Sequence, residues 1–206
     1  MKTIKFLTIA LAMTSFLACS DDSDDLLPAV SITIEDLHAP QEGGMGQPIS
    51  GQFTKFDFDT GMETDSETDW DIAFRATDII VNGGSSMGTI DEPNRNGDGG
   101  AYIVMGTMAD VTEVDVSMFA QDSENGYAIM SGSGNGWYTY TGPPTFLVTP
   151  TAGRILVFKT ADGKFAKVEI LSYYQGAPDS PDAFTDQSRY YTFNYVYQPN
   201  SGETAF

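Results

Sequence analysis

An all-β fold, mostly antiparallel with at most one or two short helices, is predicted by three features of the sequence. Short segments alternate apolar and polar residues with period two, β-branched and aromatic residues fill them, and clusters of Gly, Pro, Asn and Asp separate them. There is no internal repeat and no heptad pattern, and nothing reads as an interdomain linker, so residues 30–206 are expected to form a single β domain.

Val30-Ser31-Ile32-Thr33-Ile34 opens the alternation and puts its β-branched side chains on one face of a strand. The glycines of Gly43–Pro48 then break regular structure, and Gln52–Phe58 resumes it with aromatics on one side. In Trp70-Asp71-Ile72-Ala73-Phe74-Arg75 the pattern turns Trp70, Ile72 and Phe74 inward. Asp71 and Arg75 must then reach water or pair locally. A further strand, Asp78–Val81, is closed by the turn Asn82-Gly83-Gly84, and a long glycine-rich loop runs from there to Ala101-Tyr102-Ile103-Val104-Met105. Met108–Phe119 is compatible with one or two helical turns.

The clearest local prediction is a hairpin of Arg154–Thr160 and Lys164–Leu171 across Ala161-Asp162-Gly163, where Asp-Gly supplies the positive φ that a tight turn needs. A one-residue slip there would expose Ala166, Val168 and Ile170. The last strand, Arg189–Tyr197, carries aromatics on both faces. That composition suits a central strand better than a bare edge.

The N-terminus reads as an export signal: Met1-Lys2-Thr3-Ile4-Lys5, an apolar run from Phe6 to Met13 shorter than the roughly 20 residues of a membrane span, and a small residue before Cys19. Residues 1–18 are the expected lipoprotein signal peptide, cleaved between Ala18 and Cys19. Cys19, the only cysteine, is the expected lipidation site, and residues 19–29 are the expected acidic tether. Phe16 stands where leucine is commoner in such signals. The multiple acyl chains of a bacterial lipoprotein would make anchoring permanent, because each buried methylene contributes roughly 0.8 kcal/mol.

The formal charge of −19 becomes −21 once Lys2 and Lys5 leave with the signal. Such a polyanion lacks the Lys/Arg stripes that displace counterions from phosphate, which excludes nucleic acid as a partner. An enzyme is not expected: His38 is the lone histidine, and there is no Gly-x-Ser-x-Gly, HExxH or phosphate-cradling glycine loop. Carboxylates are too abundant for any glycosidase-like pair to stand out. Asn94–Gly99 faintly resembles the start of a calcium loop, but it lacks the later bidentate Glu and reads as a turn. Gly142-Pro143-Pro144 beside Trp137-Tyr138-Thr139-Tyr140 stiffens a loop next to aromatic rings. A flat ligand could stack there on Trp137 or Tyr140, with core packing as the competing use of those rings.

Taken in order, Trp70–Arg75, Asn82–Gly84, Gly99–Tyr102, Thr160–Lys164 and Ala166–Ile170 resemble the HmuY family of bacterial outer-membrane haem-binding lipoproteins, over most of residues 30–200. The resemblance implies a HmuY-like β fold and a monomer held in the outer membrane by its lipid and exposed at the cell surface. It further implies haem capture for iron acquisition and transfer to a TonB-dependent transporter. Haem-binding relatives clamp the iron with two axial side chains, a His pair in some and a Met pair in others. Gap-free matching from Trp137 to Gly163 puts Gly142, which has no ligating side chain, at the second His position. Methionine is then the remaining route, and Met118 and Met130 fall in the region of the first ligand loop, as candidate cofactor-binding residues. The alternative is a relative that keeps the scaffold but binds a protein or glycan through its glycine-rich loops.

Overall fold

The computed structural model describes residues 26–206; the expected signal peptide, Cys19 and the tether up to Asp25 lie outside the described residues. The chain runs through β1 (Val30–His38), a short hairpin of β2 (Glu42–Gly44) and β3 (Gln47–Ser50), then β4 (Thr54–Asp57), β5 (Met62–Thr64), β6 (Ile72–Arg75) and β7 (Asp78–Val81). It continues with β8 (Gly100–Met105), a second short hairpin of β9 (Tyr138–Tyr140) and β10 (Val148–Pro150), and then β11 (Arg154–Lys159), β12 (Phe165–Tyr174) and β13 (Ser188–Gln198). Two larger sheets result, a five-stranded one in the order β1-β13-β12-β11-β8 and a four-stranded one in the order β5-β4-β6-β7. All strand pairings are antiparallel. The expected all-β class is the observed one, and the only helical element among the described residues is a single 3₁₀ turn, Val116–Met118.

The main core lies between the facing sides of the two sheets. Phe56, Ile72, Phe74 and Val81 meet Leu156, Phe158, Val168, Phe193 and Tyr195 there, as the period-two alternation of each strand requires. Phe56 makes edge contacts to Phe193 and Tyr195 at 5.6 and 5.9 Å. Each such side chain stabilises the fold by roughly 1.5–3 kcal/mol on burial. β13 sits between β1 and β12, so the most aromatic strand is central, and register is fixed on both of its sides.

The structure corrects two expectations. Gly43, Gly44 and Gly46 do not interrupt structure but supply the positive φ values (70°, 90° and 96°) that turn β2 into β3. Trp70 precedes β6 across a bend at Asp71, so it leaves the face shared by Ile72 and Phe74 and packs with Phe53, Ala73, Ile80 and Tyr127 on the other side of the sheet. Both faces of β6 are therefore buried. Within Met108–Phe119 one helical turn forms, the 3₁₀ turn Val116–Met118; the residues before it are irregular, and Val111 and Val114 cover the outer face of the five-stranded sheet with Tyr102, Val157 and Phe165. Under that cover Lys167 is buried, its ammonium donating to the carbonyls of Met108 (2.9 Å) and Val111 (2.7 Å).

Candidate ligand site

β8 is an edge strand of the five-stranded sheet, and its outer side is only partly covered. Ala101 and Ala120 exchange both backbone hydrogen bonds (2.9 and 3.1 Å), after which the chain before Ala120 diverges from β8. The wedge that opens is a pocket of about 380 Å³ with Ala101, Tyr102 and Ile103 of β8 at its floor and Met105, Met118 and Met130 around it. Three thioethers from three separate segments thus border one pocket. They are 68%, 55% and 61% exposed, so none of them is spent on core packing. Met118 and Met130 are the two methionines that the sequence singles out as candidate ligands; Met105, at the end of β8, continues an ordinary strand alternation and is not singled out by it.

Each methionine stands on a fixed backbone. Asp115 caps the 3₁₀ turn by accepting from the Ser117 N–H (3.0 Å) and hydroxyl (2.6 Å). Beyond Met118, Phe119 is wedged against Tyr102 and stacks on Phe165. Met130 rides on an arch tied down on both sides. The Ala128 N–H donates to Asp122 (2.8 Å), Ile129 is buried in the main core, and the Ser131 hydroxyl donates to Asp78 (2.6 Å). Arg154 ends the arch by donating to the carbonyls of Gly134 and Gly136.

Behind the arch lies a buried charge cluster that the sequence had not singled out. Asp122 accepts from the Val81 N–H (3.0 Å) and from Arg95 (2.9 Å), and Arg95 also bonds Glu92 (2.7 Å), with the three side chains at most 2% exposed. Burial pushes the Asp122 carboxyl above its ordinary range, against the opposing pull of the Ala128 N–H and of Arg95. Burial likewise raises Asp78, with the Ser131 bond and Arg75 opposing. For Glu92 the balance is reversed: burial would raise it, but bonds from Thr89 and the charge of Arg95 hold it low.

The other sequence candidates do not join this pocket. Trp137 is a correction: it is 2% exposed, packed against Tyr138, Tyr173 and Tyr191, and its indole N–H donates to the Thr77 carbonyl (2.9 Å), so it offers no ring face to a ligand. Tyr140 is exposed on β9 but is not among the residues lining the pocket. His38 is exposed on β1, the opposite edge of the sheet from β8, and stacks on Tyr190. Asn94–Gly99 is a turn clasped by Asn82, whose side-chain oxygen accepts from the Asn96 and Gly97 N–H groups. A second pocket, lined by Asp57, Asp59, Asp69, Asp71 and Asp162, has its innermost carboxylate, Asp71, occupied by the N–H groups of Phe58 and Ala161. Among the described residues no group of three or more His, Cys, Asp or Glu is arranged to hold a metal ion.

Residues 50–195 match the family model described as HmuY protein. The chain belongs to the HmuY family. Among solved structures, the apo HmuY analogue of Tannerella forsythia superposes with a TM-score of 0.53 at 14% identity, over 86% of this chain and 100% of that one, which establishes a shared HmuY-like fold. A candidate lipoprotein of Bacteroides fragilis (TM-score 0.45, 15% identity, 84% of this chain and 90% of that one) is also similar. So is a candidate HmuY-like haem-binding protein of Bacteroides vulgatus (0.39, 14%, 84% and 93%). No curated protein matches the chain significantly.

Proposed function

We propose that this HmuY-family chain is a lipid-anchored, surface-exposed outer-membrane lipoprotein that binds haem for iron acquisition, as a monomer and without chemistry on its ligand, and passes it to a TonB-dependent transporter. The single observation that carries the haem reading is the convergence of Met105, Met118 and Met130, all solvent-exposed, on one pocket beside the β8 edge. Exposed methionines scattered singly would need no explanation, but three around one concavity form a soft, adaptable apolar rim. Thioether sulfur is also an established axial ligand of haem iron. Met118 and Met130 would hold the iron, with Met105 and the Tyr102 side of β8 contacting the macrocycle. Bound there, haem would supply only its iron centre as cargo. No helix among the described residues is long and apolar enough to cross a membrane, so the proposed attachment rests on Cys19.

Titration with ferric and with reduced haem, followed by the Soret band, tests this reading. The wild-type chain is expected to shift the band, and Met118→Ala and Met130→Ala to weaken binding and together abolish the thioether signature. A wild-type spectrum that the double variant leaves unchanged would remove both residues as ligands. A wild type that does not shift the band at all would favour a protein or glycan ligand.

A further inference from the structure

Met130 has no regular secondary structure beneath it. The chain between Ala120 and Gly136 contains only turns and isolated bridges. A thioether on such a segment would lose much conformational freedom on meeting a ligand, and that cost falls if the backbone is already fixed. Here the fixing is done by two carboxylates: Asp78, from β7, and Asp122, at the start of the segment itself and pinned to β7 by the Val81 N–H at 3.0 Å. Asp78 opens β7 and grips the residue after Met130, through the Ser131 hydroxyl at 2.6 Å. Asp122, held by Arg95, grips the chain two residues before it, through the Ala128 N–H at 2.8 Å. Between these ties Ile129 points into the core, so the next side chain must point away from it. Gly136 closes the arch from behind, where even a methyl group would lie 2.2 Å from the Met130 carbonyl oxygen.

We infer that Asp78 and Asp122 are positioning residues, which hold the Met130 thioether at the pocket by clamping the arch on either side of it. The role in ligation rests on the haem reading above; the clamp itself does not.

The test uses the chain labelled at its methionine methyl groups, with Asp78→Ala, Asp78→Asn and Ser131→Ala variants. Ser131→Ala removes the tie without touching a charge and guards against a misfolded Asp78 variant. In the haem-free state the Met130 methyl signal should sharpen and move toward the position of a methionine in an unfolded chain in Asp78→Ala and Ser131→Ala, while the Met105 and Met118 signals stay put. Asp78→Asn, which keeps an oxygen for the Ser131 hydroxyl, should restore the wild-type signal. The same two weakened variants should raise the Kd for haem about tenfold, the scale of one lost charge-assisted hydrogen bond. A Met130 methyl signal unchanged in both would overturn the clamp, as would equal movement of all three methyls, which would mark a general loss of structure. If the methyl signals behave as expected but haem does not bind, the clamp stands and the haem reading falls.

Discussion

Replacing Asp122 with Asn tests whether the arch and the long loop depend on a buried ion pair. The Asp122 carboxylate accepts from the Val81 N–H at 3.0 Å, the Ala128 N–H at 2.8 Å and the Arg95 guanidinium at 2.9 and 3.3 Å, with its side chain 0% exposed. An amide of the same shape has only one acceptor oxygen, so whichever way it turns, its NH₂ faces a donor. Removing one partner from a buried pair costs roughly 3–5 kcal/mol. Arg95 keeps Glu92 at 2.7 Å and the Pro93 carbonyl at 2.6 Å, which puts this case at the lower end, about 3 kcal/mol. For a chain of this size that is a fall in Tm of about 6–12 °C. Urea unfolding followed by tryptophan fluorescence is the assay, because Trp70 lies 5.7 Å below the Arg95 guanidinium and reports on this region. Lys159→Met is the control: its pair with Asp98 is exposed (28% and 71%), so the loss should be under about 1 kcal/mol. If Asp122→Asn cost no more than that control, the ion pair would not be what secures the loop.

Two further perturbations probe the junction between the sheets. Burial raises the Asp71 carboxyl to about 6 against the two N–H bonds it accepts, so the folded chain holds this proton more tightly than the unfolded one. Stability from this group is therefore present at acid pH and lost as pH rises from about 4 through about 6, by at most about 3 kcal/mol. Urea midpoints at pH 4.5 and 7 should show wild type gaining on Asp71→Asn upon acidification, and parallel pH profiles would refute the assignment. Gly83→Ala would put a methyl group 1.9 Å from the Gly99 carbonyl oxygen, so a loss of about 2–3 kcal/mol or failure to fold is expected. A variant within about 0.5 kcal/mol of wild type would mean that the Asn82–Gly84 turn has more room than the structure gives it.

The strands were legible because period two survives wherever one face is buried: Ala166, Val168 and Ile170 reach the main core in the register the hairpin turn sets. Legibility failed where a second layer covers the outer face. Lys167 and Phe165 alternate with the core-facing Ala166, Val168 and Ile170, yet residues 108–114 fold over them. It failed again for charges in loops: Arg95 and Asp122 lie 27 residues apart, each in a polar stretch that locally reads as solvated, and only the tertiary fold brings them together. Aromatic alternation around Trp137 cannot distinguish a stacking platform from a core ring. Its indole bond to Thr77, 60 residues away, decides for the core.

The residues that carry the family resemblance and those that border the pocket are largely different sets. Asp71 fastens β6 to the hairpin turn at Ala161, Asn82 clasps Trp70 and the 96–97 turn, and Gly83 lets the chain pass against Gly99: together they fix how the sheets and the long loop meet. The methionines stand on irregular segments hung from that frame, and the two sets meet only at Ala101 and Tyr102 on the pocket floor. On the haem reading proposed above, the frame would fix where the ligand sits, and side chains at 105, 118 and 130 would fix what it can be. Those positions are exposed and the chains there are held by caps and clamps, so substitutions at them cost the fold little. A scaffold divided in this way can exchange histidine for methionine ligation, or one ligand for another, without refolding. For that reason the absence of a side chain at Gly142, the position that the sequence resemblance matches to a His ligand, does not conflict with membership of the family or with a thioether-lined pocket.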